Sequence, residues 1–94
     1  LENMVAIELC RRYGKDNVFY LNVDKEIDFL VPDAKLAIQA SYSIREQSTK
    51  DREIPPLVKY SKSHPDWQCF LISYDEETTE DGINVIPVWK WLLS

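Results

Sequence analysis

Glycine is nearly absent from this chain, and histidine and cysteine are scarce: in 94 residues there are only Gly14 and Gly82, His64, Cys10 and Cys69. Two isolated glycines exclude a glycine-rich loop whose backbone N–H groups cradle nucleotide phosphates. Two cysteines and one histidine fall short of the four ligands of a structural zinc site. Nucleophilic catalysis has little to build on, since His64 precedes Pro65 in a loop without a recognisable Cys or Ser partner and reads as a solvated residue.

Long apolar runs are missing too. None approaches the roughly 18–20 residues that cross a bilayer, and no leader with a basic start and a small-residue cleavage site is present. The expectation is a soluble, cytoplasmic domain with no membrane span. Residues 1–94 make one domain, and a chain of this length buries only about 60–65% of its unfolded surface. The run from Leu1 to Cys10 reads as helix with no cap before it, which suggests a segment of a longer polypeptide. Cys10 and Cys69 sit in segments that read as core helix and core strand, so buried reduced thiols are expected.

Positive charge is in deficit, with 11 basic against 16 acidic residues and a net charge of −5. That balance disfavours nucleic acid, whose affinity comes largely from Lys and Arg on phosphates. Its distribution weakens the objection, because five of the acids lie between Asp75 and Asp81. This run reads as one solvated acidic turn.

What is present is a clear α/β pattern. Val5, Leu9 and Tyr13 repeat at helical spacing, and Gly14 follows where a helix would stop. Val18 to Val23 is β-branched and aromatic on both sides, which suits an interior strand. Glu26 to Val31 places Ile27, Phe29 and Val31 on one face, and Leu36 to Tyr42 alternates again after the turn Pro32-Asp33-Ala34-Lys35. These two strands should pair as a hairpin in which facing residue numbers sum to 67, with Asp28 facing Gln39 and Glu26 facing Ser41. Glu26, Asp28, Gln39 and Ser41 then share one face. Ser48 to Lys62 is helical in character, and Pro55-Pro56 predicts two short pieces with a kink. Trp67 to Tyr74 and Ile83 to Ile86 are further strands, and Pro87 opens a terminal helical turn. The fold class is therefore α/β, a mixed β-sheet flanked by helices in a three-layer core.

The polar face is where chemistry could reside. A metal-dependent nuclease site needs an acid on the first helix, an acid on one hairpin strand, and an acid-x-Lys pair on the next; the acids hold Mg²⁺ and the lysine stabilises charge on water or phosphate. Here the helix offers Glu8 and the strand Asp28, but the pair reads Gln39-Ala40-Ser41. Gln39 brings no negative charge and Ser41 no cation.

Glu2-Asn3 opening a helix through Glu8-Leu9-Cys10-Arg11-Arg12, then Lys25-Glu26-Ile27-Asp28-Phe29, Ile38-Gln39-Ala40-Ser41-Tyr42-Ser43, and Arg52-Glu53 before Pro56-Leu57 resemble the C-terminal domain of unknown function of bacterial and archaeal AAA+ ATPases. That resemblance implies a restriction-endonuclease-like, PD-(D/E)xK scaffold with a degenerate active site. It also implies an upstream ATPase module, which would be the partner of this domain and the place where ATP and Mg²⁺ bind, and no cofactor here. The implied role is a non-catalytic binding or regulatory module. A weak Mg²⁺-dependent nuclease is the enzyme alternative, with Glu8, Glu26 and Asp28 holding metal and Lys35 replacing the missing lysine. A purely structural or self-association domain is the third. Nucleic acid and an unidentified protein are the open partner classes.

Each singled-out residue has a plainer reading. Glu8 stands three and four residues before Arg11 and Arg12, the spacing of helical ion pairs. Asp28, between Ile27 and Phe29, needs a hydrogen-bond partner if buried. Trp67, Trp89, Trp91 and Tyr42 suit core or interdomain packing better than base stacking. Arg11, Arg12, Lys15, Arg45, Lys50 and Arg52 read as scattered solvated charge.

Overall fold

The computed structural model describes residues 1–20 and 26–94. Leu21, Asn22 and Val23 of the expected first strand, and Asp24-Lys25 after it, lie outside the described residues.

The first helix, α1, spans Glu2–Tyr13 and buries Val5 and Leu9. It stops at Gly14, whose φ of 88° and ψ of 140° are open essentially to glycine alone. The Gly14 N–H closes the last turn on the Cys10 carbonyl, and Asn17 Nδ2 donates to the Tyr13 carbonyl at 2.7 Å.

Strands β1 (Phe29–Val31) and β2 (Leu36–Ala40) pair antiparallel, with Phe29 opposite Ile38 and Val31 opposite Leu36. This is the expected register. Their connection is a 3₁₀ turn over Pro32–Ala34 followed by Lys35 at φ 55°. Strand β1 is shorter than expected, because Glu26 to Asp28 form a bend. The interaction that replaces their ladder is described below.

Strand β2 lies inside the sheet, and all five of its residues are buried. It runs parallel to β3 (Gln68–Ser73), which runs parallel to β5 (Ile83–Pro87); the short β4 (Thr78–Glu80) closes the edge antiparallel to β5. The strand order is β1-β2-β3-β5-β4. Alternation along the strands then assigns two faces. Leu36, Ile38 and Ile72 join Val5 and Leu9 of α1 and Val88 and Trp91 of the last helix, α3 (Val88–Leu92), on one side. Ala37, Leu71 and Val85 join Ile54 and Leu57 on the other. Cys10 and Cys69 pack on opposite faces of the sheet as free, half-buried thiols, less covered than expected.

Two sequence expectations change. The run Gln47–Ser63 is one helix, α2, with Pro55 and Pro56 inside it. Proline has no N–H to give to the carbonyl four residues back, so Asp51 and Arg52 lose their α-helical donors. The helix persists because Ile54 and Leu57, on either side of the prolines, are 2% and 0% exposed and hold both halves to the sheet. Tertiary packing overrides local propensity here.

The acidic run is likewise not merely a solvated turn, since Thr78–Glu80 is β4. Asp81 and Gly82, with φ of 52° and 82°, form the two-residue turn that pairs Glu80 with Ile83. Asp-Gly with two positive φ angles is the chemistry of a type I′ hairpin.

Because Pro55 is exposed and interrupts helical hydrogen bonding, Pro55→Ala should stabilise the chain by about 1–2 kcal/mol, the lost backbone bond outweighing the greater freedom of the unfolded state. Urea unfolding followed by far-UV circular dichroism measures this directly. An unchanged or lowered midpoint would show that the proline is accommodated without cost.

Candidate functional site

Where β1 ends toward the N-terminus, side chains take over from the backbone ladder. The Asp28 N–H donates to Gln39 Oε1 at 2.7 Å, and the Ala40 N–H donates to Asp28 Oδ2 at 2.9 Å. Gln39 Nε2 donates to the Glu26 carbonyl at 2.8 Å and to the Glu53 carbonyl of α2 at 3.3 Å. Gln39 is 1% exposed. Its one oxygen faces an N–H and its two amide hydrogens face two carbonyls, so every part of the group is used. A carboxylate at this position would set an oxygen against both carbonyls. The neutral amide is thus what this packing requires.

Above that buried amide lies an open cleft of about 600 Å³ between the Glu26–Asp28 bend and α2. Its charged rim is formed by Glu26 and Asp28 from the bend and by Asp51, Arg52, Glu53 and Lys59 from the helix. Glu53 pairs with Arg52 at 3.3 Å. Burial raises the Glu53 carboxyl above its usual range, and the negative charge of Asp28 pushes it further in the same direction.

Of the residues singled out in the sequence, Asp28, Gln39 and Glu26 meet at this cleft. Glu8 does not line it; its carboxylate takes two bonds from Arg11, at 2.9 and 2.6 Å, and one from Arg12 at 2.6 Å. Those hydrogen bonds hold the carboxyl at about 2. Arg12 continues to the Trp91 carbonyl at 2.9 Å and lies over the Trp91 ring at 4.8 Å, so this group joins α1 to α3. Lys35 pairs with Asp66 at 2.8 Å at the far end of β2, roughly 13 Å of strand from Gln39. Ser41 donates from Oγ to the Ser43 carbonyl at 3.0 Å. Geometry therefore supplies no cleft role for Glu8 or Lys35.

One side-chain reading also changes. His64 is not a solvated loop residue but is half-buried, stacked on Tyr60 at 4.0 Å and set 5.3 Å from Trp67. Of the aromatic residues expected in core or interdomain packing, Tyr42 is 65% exposed and stacks on Tyr74 at 4.8 Å. Trp91 is buried as expected, whereas Trp89 is 56% exposed.

Sequence reasoning missed the α2 contribution to the cleft. The available signal was Glu53, four residues before Leu57 and next to Ile54, on the side of α2 that turns to the sheet. Among the described residues, no group of three or more His, Cys, Asp or Glu side chains is placed to hold a metal ion.

No known family profile and no solved structure matches the chain. It is 38% identical over 97 aligned positions to a protein of Haemophilus influenzae described as uncharacterized, an alignment covering 99% of this chain. The chain spans 22% of the length of that relative.

Removing the buried amide should be costly. Gln39→Leu strands the Asp28 N–H and two carbonyls and should lose about 2–4 kcal/mol in urea unfolding. Gln39→Glu should lose more at pH 7 and recover part of it on acidification, because protonation removes the buried charge. Equal stability of Gln39→Glu and the parent at pH 7 would refute this account.

Glu8 and Glu53 should act with opposite signs. The folded-state value for Glu8, about 2, lies below its ordinary 4.5, so its stabilisation is complete above pH 4.5 and lost as the pH falls toward 2. Glu8→Gln should be less stable than the parent at pH 7 and converge with it near pH 2. Glu53 is raised, so its ionisation opposes folding as the pH climbs past 4.5. Glu53→Gln should exceed the parent at pH 7 and lose that advantage below pH 4.5, as read from denaturant midpoints across the range.

Proposed function

We propose that this chain is a non-catalytic accessory domain of an AAA+ ATPase, a binding or regulatory module built on a restriction-endonuclease-like scaffold. The observation that carries the reading is the use of Gln39. At the position where a nuclease of this kind would present a metal-binding acid, a neutral amide is consumed by bonds to Glu26, Asp28 and Glu53. Asp28 likewise receives the Ala40 N–H, a structural bond on one of its two oxygens.

Other observations favour the accessory role. The chain matches a limited part of a much longer relative, as a domain reused beside others would. ATP and Mg²⁺ belong, on this reading, to an upstream ATPase module, which is also the domain's principal partner, and the setting is cytoplasmic. No described helix is long and apolar enough to cross a membrane.

The nuclease alternative retains Glu26 and Asp28 in the cleft. It lacks the geometric support of Glu8, committed to Arg11 and Arg12, and of Lys35, committed to Asp66. Incubating the 94-residue chain with Mg²⁺ or Mn²⁺ and single-stranded, duplex or branched DNA should leave every substrate intact. Cleavage that disappears in Asp28→Asn would overturn the non-catalytic reading.

A further inference from the structure

The acidic cleft does not end at Lys59. A second depression of about 260 Å³ continues from it, sharing Glu26, Pro56 and Lys59 as a common wall. Its remaining lining is mainly apolar and aromatic, from Ile27 and Leu30 on one side and Tyr60 and His64 on the other. The α2 residues that line the two parts run from Asp51 to Ser63, and His64 lies just past the end of the helix. Twelve residues of helix rise about 18 Å, so the two depressions form one groove along nearly the whole of α2.

The groove is polarised along its length. One end carries the carboxylates of Glu26, Asp28, Asp51 and Glu53 against the cations Arg52 and Lys59. Burial raises the Glu53 carboxyl at this end, and the nearby charge of Asp28 adds to it. Pro55 and Pro56 add to that end, since the Asp51 and Arg52 carbonyls have no α-helical N–H to accept from. A ligand rich in cationic N–H donors complements this end. The other end offers contact to apolar side chains.

Resting on the binding-module reading above, we infer that this groove docks an extended segment of a partner polypeptide bearing basic side chains at one end and apolar side chains at the other, on the same face. A strand advances about 3.3 Å per residue and alternates its faces, so five or six residues fill the groove and every second side chain enters it. The basic side chains lie against Glu26 and Asp51. The apolar ones lie against Ile27, Leu30 and Tyr60. Nucleic acid does not suit the groove, because its phosphates would meet the carboxylates.

The test is an NMR titration of the ¹⁵N-labelled chain with the end-capped heptapeptide Arg-Ser-Arg-Ser-Leu-Ser-Leu and its reverse-order counterpart, whose basic and apolar side chains share one face. Saturable shifts are expected at the backbone amides of Ile27, Leu30, Arg52, Lys59 and Tyr60 with at least one of the two. The same peptides with glutamate for arginine should produce none. The double variant Glu26→Lys, Asp51→Lys replaces two exposed side chains and should weaken binding at least tenfold. Asp16→Lys, an exposed position outside the groove, should leave binding unchanged. Shifts centred elsewhere, equal response to the glutamate peptides, or no saturable response to either arginine peptide would overturn the inference. Such a failure alongside intact DNA in the cleavage assay would remove the groove alone, whereas Asp28-dependent cleavage would remove the binding-module reading itself.

Discussion

The buried amide of Gln39 is the interaction on which the rest of the site depends. Three separate pieces of chain meet at it: β2, which carries it; the bend that leads into β1; and α2 on the opposite side of the cleft. An unpaired buried N–H or carbonyl costs about 1–3 kcal/mol, so the bend is held where its backbone finds the amide. Asp28 answers across the same gap by accepting from Ala40. Side chains thereby extend the pairing of β1 and β2 past the point where the backbone ladder stops, and the bend presents the Glu26 and Asp28 side chains toward α2.

That arrangement also explains where negative charge collects. Several acids outside the groove pair with cations, Glu80 with Lys50, Glu77 with Lys90 and Asp66 with Lys35 across elements, and Glu8 with Arg11 and Arg12 within α1. Most of these pairs are exposed and individually weak. Together they bring the acidic hairpin of β4 and β5 into balance with its neighbours. In the groove, Gln39 ties the bend to α2 and so brings Glu26 and Asp28 near Asp51 and Glu53. Burial, and after it the charge of Asp28, raises the Glu53 carboxyl there.

Much of the scaffold was legible in the sequence because it depended on local pattern. The period-two alternation of Phe29 to Val31 and Leu36 to Ala40 set the register, which the structure keeps. Gly14 marked the end of α1. The continuity of α2 was not legible, since the proline pair carries a local penalty while the compensating burial of Ile54 and Leu57 is a tertiary fact. The β4 hairpin was hidden by its charge, although Asp81-Gly82 carried the turn signal. Within the site, periodicity was enough to put Glu26, Asp28 and Gln39 on one face. It could not say that Gln39 would be buried and Glu53 brought beside Asp28, because both depend on how α2 crosses the sheet. Glu8 shows the reverse case: its three-to-four spacing to Arg11 and Arg12 already indicated the ion pairs that occupy it.

The neutral amide at position 39 therefore has a structural meaning of its own. A metal-binding carboxylate must keep its oxygens available and its charge compensated by an ion, which ties the geometry of the cleft to the presence of that ion. An amide that is fully engaged by backbone groups sets the same three chain segments at fixed spacing without any ligand. Preformed walls lose less conformational freedom when a partner binds. The buried amide thus sets the cleft walls in place without a bound ion, and preset walls with carboxylates along one end are what a docking groove for a basic segment requires.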